Sequence, residues 1–177
     1  MTFYGYQRPD GRVGVRNKVL ILPASVCASD TARIIAQQVD GAVTFNNQLG
    51  CSQVASDQQY TMDVMAGYAA NPNVYGTVVV SLGCENCQMD LVVKAIQERT
   101  NKPIRQVIIQ EVGGTLKAVD MGVRYAKELT AQASLLQKIP FPMSELIIGT
   151  ECGGSDPTSG LAANVLIGEM SDRIVAA

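Results

Sequence analysis

Short apolar runs rich in Val and Ile alternate with helical stretches along most of the chain, and this alternation constrains the fold most strongly. The runs lie at 18–23, 42–45, 76–82, 104–110 and 145–149, and a loop of small and polar residues follows each one. Helical stretches follow these loops through about Val39, at 54–70, at 88–99, at 115–137 and from about 159. Near-continuous apolar strands separated by helices are typical of a parallel sheet covered on both faces. The sequence therefore predicts an α/β fold, a doubly wound, mostly parallel five-stranded sheet in a Rossmann-like three-layer sandwich.

The first 17 residues do not belong to this alternation of strands and helices. Three arginines and two glycines alternate there, at Arg8, Gly11, Arg12, Gly14 and Arg16. We expect this stretch to be an N-terminal arm that packs over the sheet. With 177 residues, of which 47% are hydrophobic, the rest of the chain can bury the core of one domain. The predicted organisation is an arm over 1–17 and one α/β domain over 18–177.

Charge and composition exclude several classes of function. The net charge is −2 and no basic run occurs, so no nucleic-acid partner is predicted. No apolar stretch approaches the roughly 18 residues that span a bilayer, and the N-terminus does not resemble a signal peptide, so we expect a cytoplasmic protein without a membrane partner. The sequence has no histidine, which excludes a Ser-His-Asp triad, a Cys-His pair and a His-ligated zinc site within this chain.

The cysteines occur just after predicted strands. They are Cys27, Cys51, Cys84, Cys87 and Cys152. An odd number of cysteines without a signal peptide argues against a disulfide framework. In an open parallel sheet the loops that follow the strands share one edge, where ligands usually bind. The sequence therefore predicts that thiols from separate loops converge on one rim.

The motif GCENC contains the pair Cys84-x-x-Cys87 with Glu85 between the two cysteines. Such a pair is compatible with metal or iron–sulfur ligation and with a redox dithiol. It is equally compatible with a tight strand-to-helix turn that buries one thiol. These alternatives stay open at the level of the sequence.

The motif GTECGGSDPTSG follows the last predicted strand. Backbone N–H groups at Gly153 and Gly154 are suited to an anion cradle for a carboxylate or phosphate, and Ser155 and Asp156 add polar groups beside it. Helix capping by Asp156 and its neighbours Thr158 and Ser159 is the alternative interpretation.

Three further loops carry candidate ligand-binding residues. Ser25 lies at a predicted helix N-terminus, Asn47 belongs to an amide-rich loop suited to hydroxyl-rich ligands, and Glu111 ends a predicted strand. A carboxylate in the position of Glu111 is suited to act as a base or a metal ligand, or to cap the following helix.

Three stretches taken together, GYQRPDGRVGVRN, LGCE and GTECGGSDPTSGLAAN, resemble the altronate/galactarate dehydratase family, which also includes the large subunit of sulfolactate sulfo-lyase. The similarity runs from Gly5 to about Asn164. It implies metal-assisted β-elimination of water or sulfite from a hydroxy acid to give a 2-keto acid. It also implies a divalent metal, Fe²⁺ or Mn²⁺, and a small-molecule sugar-acid substrate.

The sequence departs from the family pattern at two points. The resemblance implies a histidine in the loop after the second strand, where this chain has residues 46–49, Asn-Asn-Gln-Leu. It also implies a longer protein, so the chain is expected to be part of one. A C-terminal and a small N-terminal domain or subunit would then complete the site, and a homo-oligomer is expected.

Together these features predict which residues have catalytic, substrate-binding and metal-binding roles. Catalytic roles are assigned to Cys84, Glu85 and Glu111. Substrate contacts are assigned to Arg12, Arg16, Asn17, Ser25, Asn47, Gly153, Gly154, Ser155 and Asp156. Metal ligation is assigned to Cys51, Cys84 and Cys152. The predicted function is a hydro-lyase domain that dehydrates a sugar acid to a 2-keto-3-deoxy acid. The alternatives are a non-catalytic hydroxy-acid-binding or assembly module of a split lyase, a sulfolactate sulfo-lyase subunit, and a cysteine-ligated iron–sulfur protein.

Overall fold

The computed structural model of the protein describes residues 1–151, 153–154 and 156–177. Its strands are β1 (Thr2–Gln7), β2 (Val13–Gly14), β3 (Lys18–Pro23), β4 (Ala42–Thr44), β5 (Val74–Ser81), β6 (Ile104–Ile108) and β7 (Ile139–Pro142). Its helices are α1 (Val26–Gln37), α2 (Ala55–Ala70), α3 (Met89–Gln97), α4 (Thr115–Ser134) and α5 (Ala163–Val175), and a short 3-10 helix occupies Met143–Glu145. The alternation of strands and helices is confirmed for the first four predicted units.

Strands β3 to β6 form one parallel sheet in the order β4-β3-β5-β6. The chain moves outward from β3 to β4 and then returns to the other side of β3, so the direction of winding reverses between β3 and β5. In open α/β sheets ligands bind outside the carboxyl ends of the strands beside such a switch point. The loops that follow β3 and β5 are therefore the expected ligand-binding region.

Helices cover both faces of this sheet, which confirms the doubly wound arrangement for four strands. Helices α1 and α4 pack on one face, and α2 and α3 pack on the other. Successive residues of β3 alternate between the two cores: Val19 and Ile21 face the first, and Leu20 and Leu22 face the second. Each fully buried aliphatic side chain contributes about 1.5–3 kcal/mol to the stability of the folded state. A strand whose side chains pack into both cores is therefore strongly stabilised.

The predicted fifth parallel strand, 145–149, is wrong. Residues 146–151 have no regular secondary structure, and Ile147 is 86% exposed. The segment just before them forms β7 instead, which pairs antiparallel with β1 in a register that places Phe3 opposite Phe141. Because of this pairing, β7 belongs to a second, small sheet and does not extend the parallel sheet at the edge formed by β6. A short apolar run predicts a strand only if a partner strand is within reach.

The predicted N-terminal arm, 1–17, is folded into that small antiparallel sheet, whose strand order is β2-β1-β7. The arm approaches the loop between α2 and β5 so closely that a Cβ at Gly14 would collide with the carbonyl oxygen of Pro72. In the same loop, Asn73 Oδ1 accepts a hydrogen bond from the backbone N–H of Arg16 at 2.9 Å. Because this loop leads into β5, the arm packs over the amino ends of the parallel strands.

Lys102 is buried at the same amino edge, with 4% of its surface exposed. Its Nζ donates hydrogen bonds to the carbonyl oxygens of Asn71 at 2.6 Å and Val74 at 3.0 Å. Burial, and after it the charges of Arg8 and Arg12, lower the pKa of Lys102 to about 7. The amino edge therefore contains a lysine that titrates near neutral pH.

We expect the free energy of unfolding to rise between pH 7 and pH 10.5, and the variant Lys102→Met to lose most of that rise. Below pH 7 the ammonium is charged in the folded and in the unfolded chain, so its burial opposes folding in full. Above pH 7 the folded protein releases the proton first, because the ordinary lysine pKa is 10.5, and the penalty fades. One proton limits the slope to about 1.4 kcal/mol per pH unit. Urea titrations at several pH values measure it.

Lys127→Met is the matched control for this experiment, because Lys127 is exposed on α4. This variant should keep the wild-type slope, and the comparison of the two variants removes the background titration of cysteines and tyrosines. Equal slopes in Lys102→Met and the wild type would contradict the titration of a buried ammonium.

In the ranges that the structure describes, none of the helices is both long enough and apolar enough to cross a bilayer.

Candidate functional site

The loops after β3, β4 and β5 are joined to one another at the carboxyl edge of the parallel sheet. The N–H of Val26 donates to the carbonyl oxygen of Leu49 at 2.9 Å, and the N–H of Cys87 donates to that of Gly50 at 3.0 Å. The loop after β6 is attached to the loop after β5 by a similar bond from Gln110, at 3.1 Å. We call these four loops, 24–25, 45–54, 82–88 and 109–114, the carboxyl rim.

Asn47 and Gly50 fix the shape of the loop after β4. The buried Asn47 donates from Nδ2 to the carbonyl oxygen of Pro23 at 2.9 Å and accepts at Oδ1 from the N–H of Leu49 at 3.0 Å. Gly50 has a φ of +91°, and a Cβ there would collide with the carbonyl oxygen of Ala24. The predicted substrate contact by Asn47 is thus replaced by a loop-forming role, since both ends of its amide are occupied.

Glu85 turns back into its own loop and is only 2% exposed. Its Oε1 accepts the N–H of Leu82 at 2.8 Å, and its Oε2 accepts the N–H of Gly83 at 2.5 Å. Burial alone would raise the pKa of Glu85, but hydrogen bonds from backbone N–H groups and from the Ser81 hydroxyl outweigh it and lower the pKa. A buried carboxylate with occupied oxygens and a lowered pKa is a poor general base. The structure therefore gives Glu85 a loop-holding role in place of the predicted catalytic one.

The four described cysteines all lie on or beside the carboxyl rim, as predicted, and all are free thiols. Cys27 and Cys84 are exposed, Cys51 is half-buried and Cys87 is fully buried. Burial, followed by the nearby Glu85 and Cys51, raises the pKa of Cys87. The Cys84-x-x-Cys87 pair therefore fits the interpretation of a tight turn with one buried thiol better than that of a redox dithiol.

A cavity of about 310 Å³ opens between the loops after β5 and β6. Its lining includes Gly83, Asp90 and Glu111. Glu111 is exposed, and within the described ranges its carboxylate accepts no hydrogen bond. Unlike Glu85, it is free to take a proton from a ligand. Glu111 is thus the rim carboxylate that is best suited to act as a base.

Ser25 lies at the switch point, in the loop between β3 and α1. Its side chain is fully buried, and its Oγ has no hydrogen-bond partner among the described residues. An unpartnered buried hydroxyl costs about 1–3 kcal/mol, and the first N–H groups of a helix carry partial positive charge. The N–H groups of Val26 and Ala28 already donate to the carbonyl oxygens of Leu49 and Ser25, so the Ser25 hydroxyl is the unpartnered group that the start of α1 can offer to a ligand.

The predicted substrate residues of the arm lie at the opposite edge of the sheet from the carboxyl rim. Asn17 accepts at Oδ1 from Arg8 at 2.8 Å and donates from Nδ2 to a carbonyl oxygen at the end of α4 at 2.6 Å. Arg12 pairs with Asp10 at 2.7 Å, and this hydrogen bond is the main reason why the pKa of Asp10 falls to about 2. The side chain of Arg16 is exposed at the same edge. The parallel sheet separates these arm residues from the carboxyl rim, and their assignment to substrate contacts stays a prediction.

The end of the GTECGGSDPTSG motif forms a local hydrogen-bonded turn ahead of α5. Asp156 Oδ1 accepts from the N–H of Thr158 at 2.7 Å, and the N–H of Asp156 donates to Ser159 Oγ at 3.1 Å. Hydrogen bonds from Thr158 lower the pKa of the Asp156 carboxyl. Helix α5 begins only at Ala163 and has Ala162 as its N-cap, without a side-chain capping bond, so capping of this helix by Asp156, Thr158 or Ser159 is not observed. Since the preceding strand is absent, the exposed Gly153 and Gly154 do not extend a strand of the sheet.

The start of this motif lies near the arm. Gly149 and Pro72 line a common cavity of about 410 Å³ at the amino edge. The predicted ligand-binding positions Cys152 and Ser155 lie outside the described residues. Gly149, the first residue of this motif, therefore lies beside the arm, at the edge opposite the carboxyl rim.

The predicted metal centre combined Cys51 and Cys84 with Cys152. In the ranges 1–151, 153–154 and 156–177, no group of three or more Cys, Asp or Glu side chains is arranged to hold a metal ion. The described residues alone therefore do not fit a site for Fe²⁺ or Mn²⁺, and the metal stays a prediction.

Sequence reasoning missed the structural roles of Lys102 and Glu85. Lys102 belongs to a turn, Asn-Lys-Pro, and nothing in that turn distinguishes a buried lysine from an exposed one. Glu85 did carry a signal, because an acidic residue two positions after a glycine in a strand-to-helix turn can accept backbone N–H groups.

The parallel sheet with helices on both faces defines a doubly wound α/β domain, and its joined loops lie at the carboxyl edge. The family model described as "D-galactarate dehydratase/Altronate hydrolase, second domain" matches residues 5–134, and the model described as "D-galactarate/Altronate dehydratase, C-terminal" matches residues 143–177. The chain belongs to the D-galactarate/altronate dehydratase family, which confirms the resemblance.

Curated relatives align with nearly the whole chain. Altronate dehydratase of Bacillus subtilis (strain 168) is 34% identical over 99% of the chain and 37% of its own length. The (2R)-sulfolactate sulfo-lyase subunit beta of Chromohalobacter salexigens is 35% identical over 98% of the chain and 43% of its own length. Altronate dehydratase of Escherichia coli (strain K12) is 32% identical over 97% of the chain and 36% of its own length. The chain thus spans about two fifths of the length of these relatives.

Proposed function

We propose that this chain is the α/β part of a hydro-lyase that removes water from a sugar acid of the altronate or galactarate type and forms a 2-keto-3-deoxy acid. Family membership and the names of the relatives support the reaction class. The carboxyl rim carries the proposal, because the loop after β3 contains the buried, unpartnered Ser25 hydroxyl and the loop after β6 contains the exposed Glu111 carboxylate. The relatives are longer than the chain, so a further domain or subunit is proposed to complete the site.

The proposed roles follow from what each group can do. The substrate carboxylate is proposed to bind beside the start of α1, where the Ser25 hydroxyl can donate a hydrogen bond. Glu111 accepts the proton from the carbon beside the carboxylate. The C–H bond breaks, a C=C bond forms, and the hydroxyl on the next carbon leaves as water, protonated by an acid that the completing domain or subunit is proposed to supply. The resulting enol then tautomerises to the 2-keto acid.

A divalent ion, Fe²⁺ or Mn²⁺, is proposed as cofactor for the complete site. Such an ion would supply charge stabilisation for the enediolate. Because the described residues do not offer three ligands, no step is assigned here to metal bound by this chain alone. Further ligands are proposed to come from the domain or subunit that completes the site.

A second candidate function is a hydroxy-acid-binding or assembly module of a split lyase. One relative, the (2R)-sulfolactate sulfo-lyase subunit beta, is named as a subunit, which favours this alternative. In that case the rim binds the acid while groups from another chain perform the elimination. A sulfolactate-type substrate would then lose sulfite instead of water.

We expect Glu111→Gln to lower kcat by about 100-fold or more and to leave KM nearly unchanged, because removal of a general base typically costs 10²–10⁴ in rate. The measurement is formation of the 2-keto acid from altronate and galactarate, with Fe²⁺ or Mn²⁺ supplied, in the protein that carries this chain. Ser25→Ala should instead raise KM, because the hydroxyl is assigned to substrate binding.

Glu98→Gln is the matched control. Glu98 is an exposed glutamate at the end of α3, on the amino edge, so its substitution changes the same charge away from the rim. It should leave both constants unchanged. Full activity in Glu111→Gln with intact substrate binding would remove the catalytic role of this carboxylate and leave the binding-module alternative.

A further inference from the structure

A mainly apolar cavity of about 260 Å³ lies on the outer flank of β4, the last strand on that side of the parallel sheet. We call it the β4 cavity. Its apolar lining includes Val43, Phe45 and Tyr68, and both Val43 and Tyr68 are exposed. Apolar side chains that remain exposed around a concave surface are typical of a ligand-binding site. The proposed elimination uses neither Val43 nor the two rings.

Two aromatic rings form one wall of the β4 cavity. The ring centroids of Phe45 and Tyr68 are 4.7 Å apart, and the ring planes are tilted by 30°. Aromatic pairs at this separation attract each other, so each ring helps to fix the orientation of its neighbour. The wall is therefore formed before any ligand arrives. Such a wall favours a ligand with a flat apolar group, above all another aromatic ring.

Two cationic residues line the same cavity. They are Arg16, which belongs to the arm, and Lys18, which begins β3. Among the residues that the structure describes, the ion pairs include neither of these two side chains. The lining of the cavity contains no Asp or Glu. An anionic group that enters the β4 cavity would therefore meet two cations whose charge is not neutralised nearby.

The size and polarity of the cavity limit what it can hold. Pockets for drug-sized ligands have volumes of about 300–1,000 Å³, so a cavity of about 260 Å³ suits a smaller molecule. A sugar acid has a hydroxyl on nearly every carbon, and these hydroxyls would lose their water against an apolar wall without gaining partners there. The cavity therefore matches a small molecule that combines one apolar ring with one anionic group.

We propose that the β4 cavity binds a small aromatic monocarboxylate, with its ring against the aromatic wall and its carboxylate beside Arg16 and Lys18. The ring covers the apolar surface, and the carboxylate supplies the negative charge that the two cations lack. A neutral aromatic compound would leave the cations without a partner. A sugar acid would satisfy the cations but would place its hydroxyls against the apolar wall.

The test is isothermal titration calorimetry of the 177-residue protein with phenylacetate, and with phenylacetamide as its neutral counterpart. Phenylacetate should bind at one site and at least about fivefold more tightly than phenylacetamide, because contacts to a charged group are stronger than contacts to a neutral one. Lys18→Met and Arg16→Met should each reduce this preference and leave the affinity for phenylacetamide nearly unchanged.

Val43→Asp tests the location of the site. It should weaken the binding of phenylacetate by about tenfold or more, because a second carboxylate on the apolar lining repels that of the ligand. Lys127→Met, which removes an exposed lysine from α4, is the control and should bind phenylacetate like the wild type. If Val43→Asp misfolds by circular dichroism, Lys18→Met decides, since it changes only an exposed side chain.

Four results would each overturn the proposal. They are the absence of saturable binding at millimolar phenylacetate, equal affinity for phenylacetate and phenylacetamide, wild-type affinity in both Lys18→Met and Val43→Asp, and displacement of phenylacetate by galactarate. The last result would mean that the aromatic acid occupies a site for sugar acids. Because neither Ser25 nor Glu111 lines the β4 cavity, the outcome does not depend on whether the proposed elimination is correct.

Discussion

Replacement of Arg8 by alanine is expected to destabilise the protein by about 3 kcal/mol, which corresponds to a fall in melting temperature of about 10 °C for a chain of this size. The Arg8 guanidinium is 3% exposed. Its Nε donates to the carbonyl oxygen of Pro72 at 2.6 Å, Nη2 donates to that of Arg16 at 2.7 Å, and Nη1 donates to Asn17 Oδ1. Alanine leaves all three acceptors without this partner, and each buried orphan costs about 1–3 kcal/mol. Urea and thermal unfolding measure the loss.

Arg12→Ala is the control variant for this experiment. Arg12 belongs to the same arm, but its side chain is exposed and its contact is an ion pair with Asp10. Exposed pairs contribute about 0–1 kcal/mol, so this variant should remain close to the wild type in stability. Arg8→Lys should behave like Arg8→Ala in kind, because one ammonium cannot donate to three acceptors in the geometry of a planar guanidinium.

The result also separates two explanations for the arginine-rich arm. If the arm served mainly to bind a substrate carboxylate, Arg8→Ala would weaken substrate binding without unfolding the domain. The structure instead makes Arg8 a clip that ties the arm to the loop between α2 and β5. Wild-type stability in Arg8→Ala would show that the Arg8 hydrogen bonds contribute nothing to the stability of the fold. It would then favour the interpretation that the arm binds a ligand.

The sequence was sufficient to predict the parallel sheet because local patterns determine its parts. Each of the strands β3 to β6 is an apolar run, each is followed by a helix, and sheets built in this way are covered on both faces. The convergence of the thiols at one edge followed from the same geometry, and it is confirmed for Cys27, Cys51, Cys84 and Cys87. Elements whose identity depends on local periodicity were therefore predictable.

The errors concern pairing partners, which local periodicity does not contain. The run at 145–149 has the composition of a strand, but β7, with Pro140 and Pro142, occupies the edge of the small sheet instead. Proline is tolerated at such an edge, although it weakens a strand prediction from sequence. Once β7 pairs with β1, the arm and Gly149, at the start of the GTECGG motif, lie together at the amino edge. Motifs that look like parts of one site can thus lie at opposite edges of a sheet.

Glu85→Ala is expected to destabilise the folded chain by about 3 kcal/mol, because it leaves the N–H groups of Leu82 and Gly83 without their buried acceptor. Glu85→Gln should fall between alanine and the wild type. Its amide oxygen can accept one of these bonds, but its NH₂ group would face the other N–H donor. Unfolding by urea at pH 7 ranks the three proteins.

The pH dependence of stability tests the same carboxylate independently. The pKa of Glu85 is lowered in the folded state, so its contribution is fully present above the ordinary glutamate value of 4.5 and is lost as the pH falls through the folded value. The wild type should therefore lose stability below pH 4.5 more steeply than Glu85→Gln. If Glu85 were instead a general base, Glu85→Gln would keep the wild-type stability at every pH and would lose only turnover. Equal stability of Glu85→Gln and the wild type across this range would contradict the structural role of Glu85 in the rim. Glu85 would then again be a candidate catalytic residue.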